Sequence, residues 1–284
     1  MNKKSIKVSL NIALATLILF VSLFDFTSKV ASANYNLAGF SKEELQDMYP
    51  NSYASIYEAL STVNPNGFFD DKEVDYLDVK HLIQAILDTD PNLFYIKNWI
   101  TYSNRDIEFN FRYTEETISK KNELLDKRTD AILKNIIQPH YSDYDKVKAI
   151  YNYVVLNTSY DYEGYITRMI SNDSYTTFGT IMYGIAVCDG YTRTINYLLE
   201  KVGIESIYIV GITNSGGLHS WNMVELDGSF YHLDVTFADT SSDKDDFVNY
   251  NYFLRNSEYL LETRTWDQSK YPAADNDYAK TKLK

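Results

Sequence analysis

Cysteine is nearly absent: Cys188 is the only one in 284 residues. No internal disulfide can form, so stability has to come from the core. A lone thiol, should the chain be exported, would either pair with another chain or be a reactive group. Cations are also scarce, 27 Lys and Arg against 39 Asp and Glu, for a net charge of −12. Such a chain repels phosphate backbones and anionic lipid, which argues against nucleic acid as a partner. With four histidines and no CxxC, HxxxH or EF-hand spacing, the sequence predicts no metal site and no cofactor. Only one long apolar run is present, Val8 to Phe24. Lysines 3, 4 and 7 precede it and Ala31-Ser32-Ala33 follows it. That order reads as a signal peptide over residues 1–33. Asn11, Thr16 and Ser22 interrupt the run, so the expectation is cleavage and not a membrane anchor. The mature chain should then hold no integral membrane span and be secreted or associated with the cell envelope. Tyrosine is abundant, 26 residues, but shows no regular spacing, and it reads as a composition bias with rings at the core edge.

The remaining roughly 250 residues fit one large domain or two small ones. Residues 34–142 read as a mainly helical extension with a β-hairpin. Ser41 and Glu44 make a capping box before Leu45 and Met48. Val74, Leu77, Leu82, Ile86 and Leu87 keep helical spacing until Asp90-Pro91. Leu93 to Tyr102 and Asp106 to Tyr113 alternate as a hairpin, and a long helix with one charged face starts at Thr114. Residues 143–284 start with a helix through Val147, Ile150 and Val154, followed by an irregular stretch. Then comes Gly184 to Gly190, and a helix whose stripe of Tyr191, Ile195, Leu198 and Leu199 closes at Gly203. Strands are expected at Ser206 to Ile212, His219 to Leu226 and Ser229 to Phe237.

Cys188 stands at the mouth of that helix, where unpaired amides and the helix dipole favour a thiolate. Gly190 would let a substrate approach the backbone, and the Cys188 amide would help hold an oxyanion. A small buried hydrophobe is the blander account of the cysteine. Asp227-Gly228 is a strong two-residue hairpin turn, which sets Leu226 opposite Ser229 and, continued, His219 opposite Thr236. Asp234 then lies diagonal to His219, on one face with Trp221, Met223 and His232. Val224, Leu226, Tyr231 and Leu233 share the other face, expected to meet the core. Asp234 would orient His219, and His219 would take the Cys188 proton. A cross-strand polar pair on a solvated face is the alternative. His232 neighbours Asp234 along the strand instead of facing it, and His81 and His140 have no visible partner.

Three blocks carry a resemblance: Ala186-Val187-Cys188-Asp189-Gly190-Tyr191, His219-Ser220-Trp221-Asn222, and Tyr231-His232-Leu233-Asp234-Val235-Thr236-Phe237. In this order they resemble the transglutaminase-like superfamily from about Asp143 to Tyr278. Phe237 departs from the tryptophan that many relatives have. The resemblance implies an α+β fold with a papain-like core, in which a cysteine-bearing helix packs on an antiparallel sheet that presents His219 and Asp234. It also implies roles: Cys188 attacks a carboxamide or carbonyl of a protein or peptide substrate, and an amine or water resolves the thioester. Tyr175 and Tyr183 are the candidates for a second oxyanion donor. Three readings follow: cross-linking or deamidation of protein amides, a peptidase or amidase using the same chemistry, and a binding scaffold without turnover.

Overall fold

The computed structural model describes residue 37, residues 39–239 and residues 248–278. The expected leader lies outside the described residues. Everything below belongs to the unit Ala38–Lys284.

Helix α1 (Lys42–Met48) starts at the expected capping box: Ser41 Oγ accepts from the Glu44 amide at 3.1 Å, and Glu44 Oε2 accepts from the Ser41 amide at 2.9 Å. Helix α2 (Pro50–Ser61) follows, with proline in its first turn where a missing N–H costs nothing. Strand β1 (Asn66–Phe68), which the sequence pattern does not announce, precedes α3 (Val79–Thr89). The expected hairpin forms as β2 (Ile96–Thr101) and β3 (Asp106–Phe111), and β1 adds to the free edge of β3. Helix α4 (Glu115–Ile136) buries Ile118, Leu125 and Ile132 along one stripe.

Helix α5 (Asp143–Asn157) opens the second half. The stretch after it is more regular than its sequence suggests. Strand β4 (Ser159–Tyr160), helices α6 (Tyr162–Thr167) and α7 (Thr177–Tyr183), and strand β5 (Ile185–Ala186) form there, with β4 parallel to β5. These pieces are too short to show a period. Helix α8 (Cys188–Lys201) then leads through Gly203, at φ +76°, into an antiparallel sheet. Its strands are β6 (Ser206–Thr213), β7 (Leu218–Leu226) and β8 (Ser229–Leu233). After α9 (Val235–Ala238) and α10 (Ser257–Leu261) comes β9 (Arg264–Thr265), and the sheet order is β8-β7-β6-β9. The architecture is α+β, as expected, and among the described residues no helix is long and apolar enough to cross a membrane.

The β7–β8 turn has Asp227 at φ 55° and Gly228 at φ 74°, the pair of positive angles that matches strand twist in a two-residue hairpin. Register follows as expected, from Leu226↔Ser229 to Asn222↔Leu233. The ladder stops there. Asp234 does not continue the strand; its side chain caps α9 by accepting from the Phe237 amide at 3.0 Å. His219 therefore pairs with Gly211 of β6 and has no ladder partner at Thr236.

Both faces of the sheet are covered, so the alternative of a polar pair on a solvated face does not hold: His219 and Asp234 are buried. Trp221 and Met223 pack with Ile209 and Ala274, with Trp266 and Tyr271 over them. On the other side Asn222 donates to Thr192 O at 3.0 Å and to Asn196 Oδ1 at 2.6 Å, docking β7 on α8. Ser206 donates to the same Asn196 oxygen at 2.8 Å. The first half packs on α8 too. Arg193 donates to Leu87 O at 2.6 Å and Asp88 Oδ1 at 2.8 Å, and Tyr197 donates to Asp126 at 2.8 Å.

Candidate active site

Cys188 is the first residue of α8, half-buried, and the N-cap Val187 supplies no side-chain cap. Its carbonyl accepts from Thr192 Oγ1 at 2.8 Å, and that hydroxyl lies 3.1 Å from Ser220 Oγ on β7. One hydroxyl thus ties the turn carrying the thiol to the strand carrying His219. Gly190 has a different reason from the one its sequence position suggests. A Cβ there would lie 2.4 Å from Ser174 O and 2.9 Å from Thr180 Oγ1, so glycine is needed for the chain to approach itself and not for a substrate to enter.

His219 is 5% exposed, and its Nε2 lies 2.7 Å from Asp234 Oδ2. The Cys188 side chain lies within electrostatic reach of the same ring, and with Nε2 taken by Asp234 the nitrogen left to face sulfur is Nδ1. Burial alone would lower the proton affinity of this imidazole. The Asp234 carboxylate, its hydrogen bond and the contact with Cys188 outweigh burial and raise the pKa to about 9. Asp234 is 1% exposed, and burial pushes its carboxyl upward; His219 and Arg264 reverse that and hold it down at about 2. The Phe237 and His219 rings meet in a T-shaped contact with centroids 4.7 Å apart, and Trp221 stacks on the imidazole with centroids 5.8 Å apart, so the imidazole has little freedom to turn.

The structure brings the three sequence-selected residues together and keeps His232 out. His232 accepts from Trp221 Nε1 at 3.0 Å through Nδ1, which leaves the proton on Nε2, 3.0 Å from Ser257 Oγ. Burial first, and Arg264 second, lower its pKa to about 3, so the ring is neutral. His232→Ala is expected to strand the buried indole N–H and to lower stability by about 1–3 kcal/mol. Activity per folded molecule should stay near wild type. A thermal melt beside a specific-activity measurement checks both halves, and a large loss of activity in fully folded protein would contradict them.

Arg264 was not legible as a site residue. It comes 30 positions after Asp234, within no motif, yet it is fully buried and its Nη1 is ion-paired with Asp234 Oδ2. Of the two expected hydroxyl donors, Tyr175 lies within electrostatic reach of Cys188; its pKa is raised by burial, then by Asp189 and Cys188. Tyr183 is 58% exposed, with its ring on Phe178 at 5.8 Å. Tyr160, which no pattern singled out, is also near the thiol. Its pKa is pushed up to about 12 by burial and then by Cys188.

Residues 130–235 match the family model described as the transglutaminase-like superfamily. A curated relative, kyphoscoliosis peptidase of Mus musculus, is 22% identical over 162 residues, covering 50% of this chain and 24% of its own. The chain thus spans about a quarter of that relative. Among solved structures, a TGase is 17% identical with a TM-score of 0.37, covering 63% of this chain and 50% of its own. A candidate cysteine protease from Cytophaga hutchinsonii is 16% identical with a TM-score of 0.32, covering 50% and 62%.

Proposed function

From the premise that residues 130–235 form a domain of the transglutaminase-like superfamily, which includes transglutaminases and cysteine peptidases, we propose that this chain transfers acyl groups from protein carboxamides through Cys188. The observation that carries the reading is a single buried ring, His219, with Asp234 Oδ2 at 2.7 Å from its Nε2 and the Cys188 thiol within electrostatic reach of it. In the reaction, the Cys188 sulfur attacks the carboxamide carbon of a glutamine-type side chain and the carbonyl π electrons move to oxygen. The Cys188 amide and a tyrosine hydroxyl, from Tyr175 or Tyr160, which are within electrostatic reach of the thiol, would hold that oxyanion. His219, as imidazolium, gives its proton to the leaving nitrogen, ammonia departs, and a thioester remains. An amine then attacks the thioester, neutral His219 accepts its proton, and the new amide leaves with the thiolate restored. Water in place of the amine gives deamidation, and a backbone amide in place of the side chain gives peptide cleavage.

We further assign residues 34–142 as the extension and 143–284 as the core with its tail, and we place the reaction outside the cytoplasm, in keeping with the leader-like residues 1–33. The test is incubation with a glutamine-bearing protein and a labelled primary amine. Amine incorporation, blocked by prior alkylation of Cys188, is the expected result; cleavage of the substrate chain would move the assignment to a peptidase. Absence of incorporation, ammonia release and cleavage across a broad panel of protein substrates would overturn it.

The pH profile has a definite sign. His219 has a folded-state pKa raised from 6.5 to about 9, so the imidazolium and the stability it brings are fully present below about 6.5 and are lost as pH rises through about 9. Activity should therefore hold across neutral pH and fall above about 9. A kcat/KM profile that already declines near pH 6.5 would show that Asp234 does not support the ring.

A further inference from the structure

We propose that Arg264 is a positioning residue for this chemistry: sharing Asp234 Oδ2 with His219, it fixes the carboxylate and limits how tightly the imidazole holds its proton. The proposal rests on the Cys188–His219–Asp234 reading and adds a fourth, cationic member outside the matched residues 130–235.

The geometry is specific. Strand β9 pairs with β6 through Thr213↔Arg264, on the opposite edge of the sheet from β8, and the arginine side chain reaches Asp234 just past the end of β8. Its guanidinium sits 4.2 Å from the centroid of the Phe237 ring, 5.3 Å from Trp221 and 5.4 Å from Tyr252. Nη1 pairs with Asp234, Nε donates to Thr263 Oγ1 at 3.2 Å, and among the described residues Nη2 has no partner. Asp234 is then fully employed, with Oδ1 on the Phe237 amide and Oδ2 between two cationic groups.

Stability alone does not explain such a residue. Desolvating a guanidinium is expensive, and replacing a buried ion pair by apolar side chains is often neutral or stabilising. In this aromatic box an apolar residue would satisfy packing, and the unpartnered Nη2 shows that hydrogen bonding is incomplete. What an apolar residue could not do is put a permanent positive charge on the far side of Asp234. A carboxylate neutralised by Arg264 attracts the His219 proton less than a lone carboxylate would, and the cation itself repels imidazolium. The orientation of Asp234 is fixed in the same step, because rotation would break two contacts at one oxygen.

Among the described residues, the other titratable or charged groups around the pair are Cys188 and Asp189 from α8, His232 from β8, Tyr151 from α5 and Tyr252. None of them shares the Oδ2 atom. Asp189 is near His219 but is held by Tyr208 and lies near Arg193, and His232 is neutral.

Alkylation of Cys188 by iodoacetate, followed by mass spectrometry from pH 5 to 10.5, reads the ring without any substrate. The anionic reagent reacts fastest with the thiolate–imidazolium pair, so the rate falls as the imidazolium loses its proton. In Arg264→Met the alkaline limb should move up by about one pH unit. In Arg264→Lys, which keeps the charge, it should stay near wild type. An unmoved limb in Arg264→Met, or an equal shift in both variants, would overturn the proposal. If Arg264→Met does not fold, side-chain NMR of arginine-labelled wild type decides. Arg264 Nη–H resonances should shift with the same midpoint as the His219 ring, and resonances indifferent to that titration would reject the role. Because neither measurement needs turnover, a failed acyl-transfer assay would leave this test standing.

Discussion

Cys188→Ala is expected to lower amine incorporation by about 10⁴-fold or more and to leave the protein folded. The thiol is the only cysteine sulfur in the chain, so no neighbouring cysteine can substitute for it as nucleophile. The fold does not depend on it. Residue 188 is half-buried, and α8 is fastened by groups further along: Thr192 to Ser220, Asn196 to Asn222, and Arg193 to Leu87 and Asp88. Alanine is also a better helix former than cysteine, although at a first-turn position the gain is a few tenths of a kcal/mol. Circular dichroism and a thermal melt should therefore match wild type while the amine-incorporation signal disappears. Residual turnover above a few per cent in such folded protein would place the covalent step elsewhere.

The local chemistry of the sequence was enough to read several elements. Ser41 with Glu44, Thr114 before α4, and Asp227-Gly228 each act within four residues, and each does in the structure what its pattern announces. The β7–β8 register follows from that one turn, and it puts His219 and Asp234 near each other. What the sequence could not show depends on distant segments. The extended pattern of Tyr231 to Phe237 hides a break at Asp234, because whether an aspartate continues a strand or caps a short helix depends on who else needs its oxygens. Here His219, Arg264 and the Phe237 amide all do. Gly190 has its reason in Ser174, and the second cover of the sheet comes from residues near 266–274, long after β8. Arg264 belongs to the same class. Nothing beside it in sequence marks a buried cation, and its partner is known only once β9 has joined β6.

Asp234→Asn is expected to damage stability and chemistry together, and the two losses can be separated. The side-chain oxygen of asparagine can still accept from the Phe237 amide, so the α9 cap survives. Arg264 is then left buried without an anion, a loss of about 3–5 kcal/mol. For a domain of this size that corresponds to a fall in Tm on the order of 10 °C. Catalysis loses on the order of 10³-fold or more, since the amide neither supports imidazolium nor fixes the ring nitrogen that carries the proton. Adding Arg264→Met to Asp234→Asn removes the stranded charge and should restore much of the lost Tm. It should restore none of the activity, because His219 still lacks its carboxylate. Recovery of turnover together with stability in the double variant would mean that Asp234 serves only the fold. Recovery of neither would mean that the Arg264–Asp234 pair is not where the stability resides.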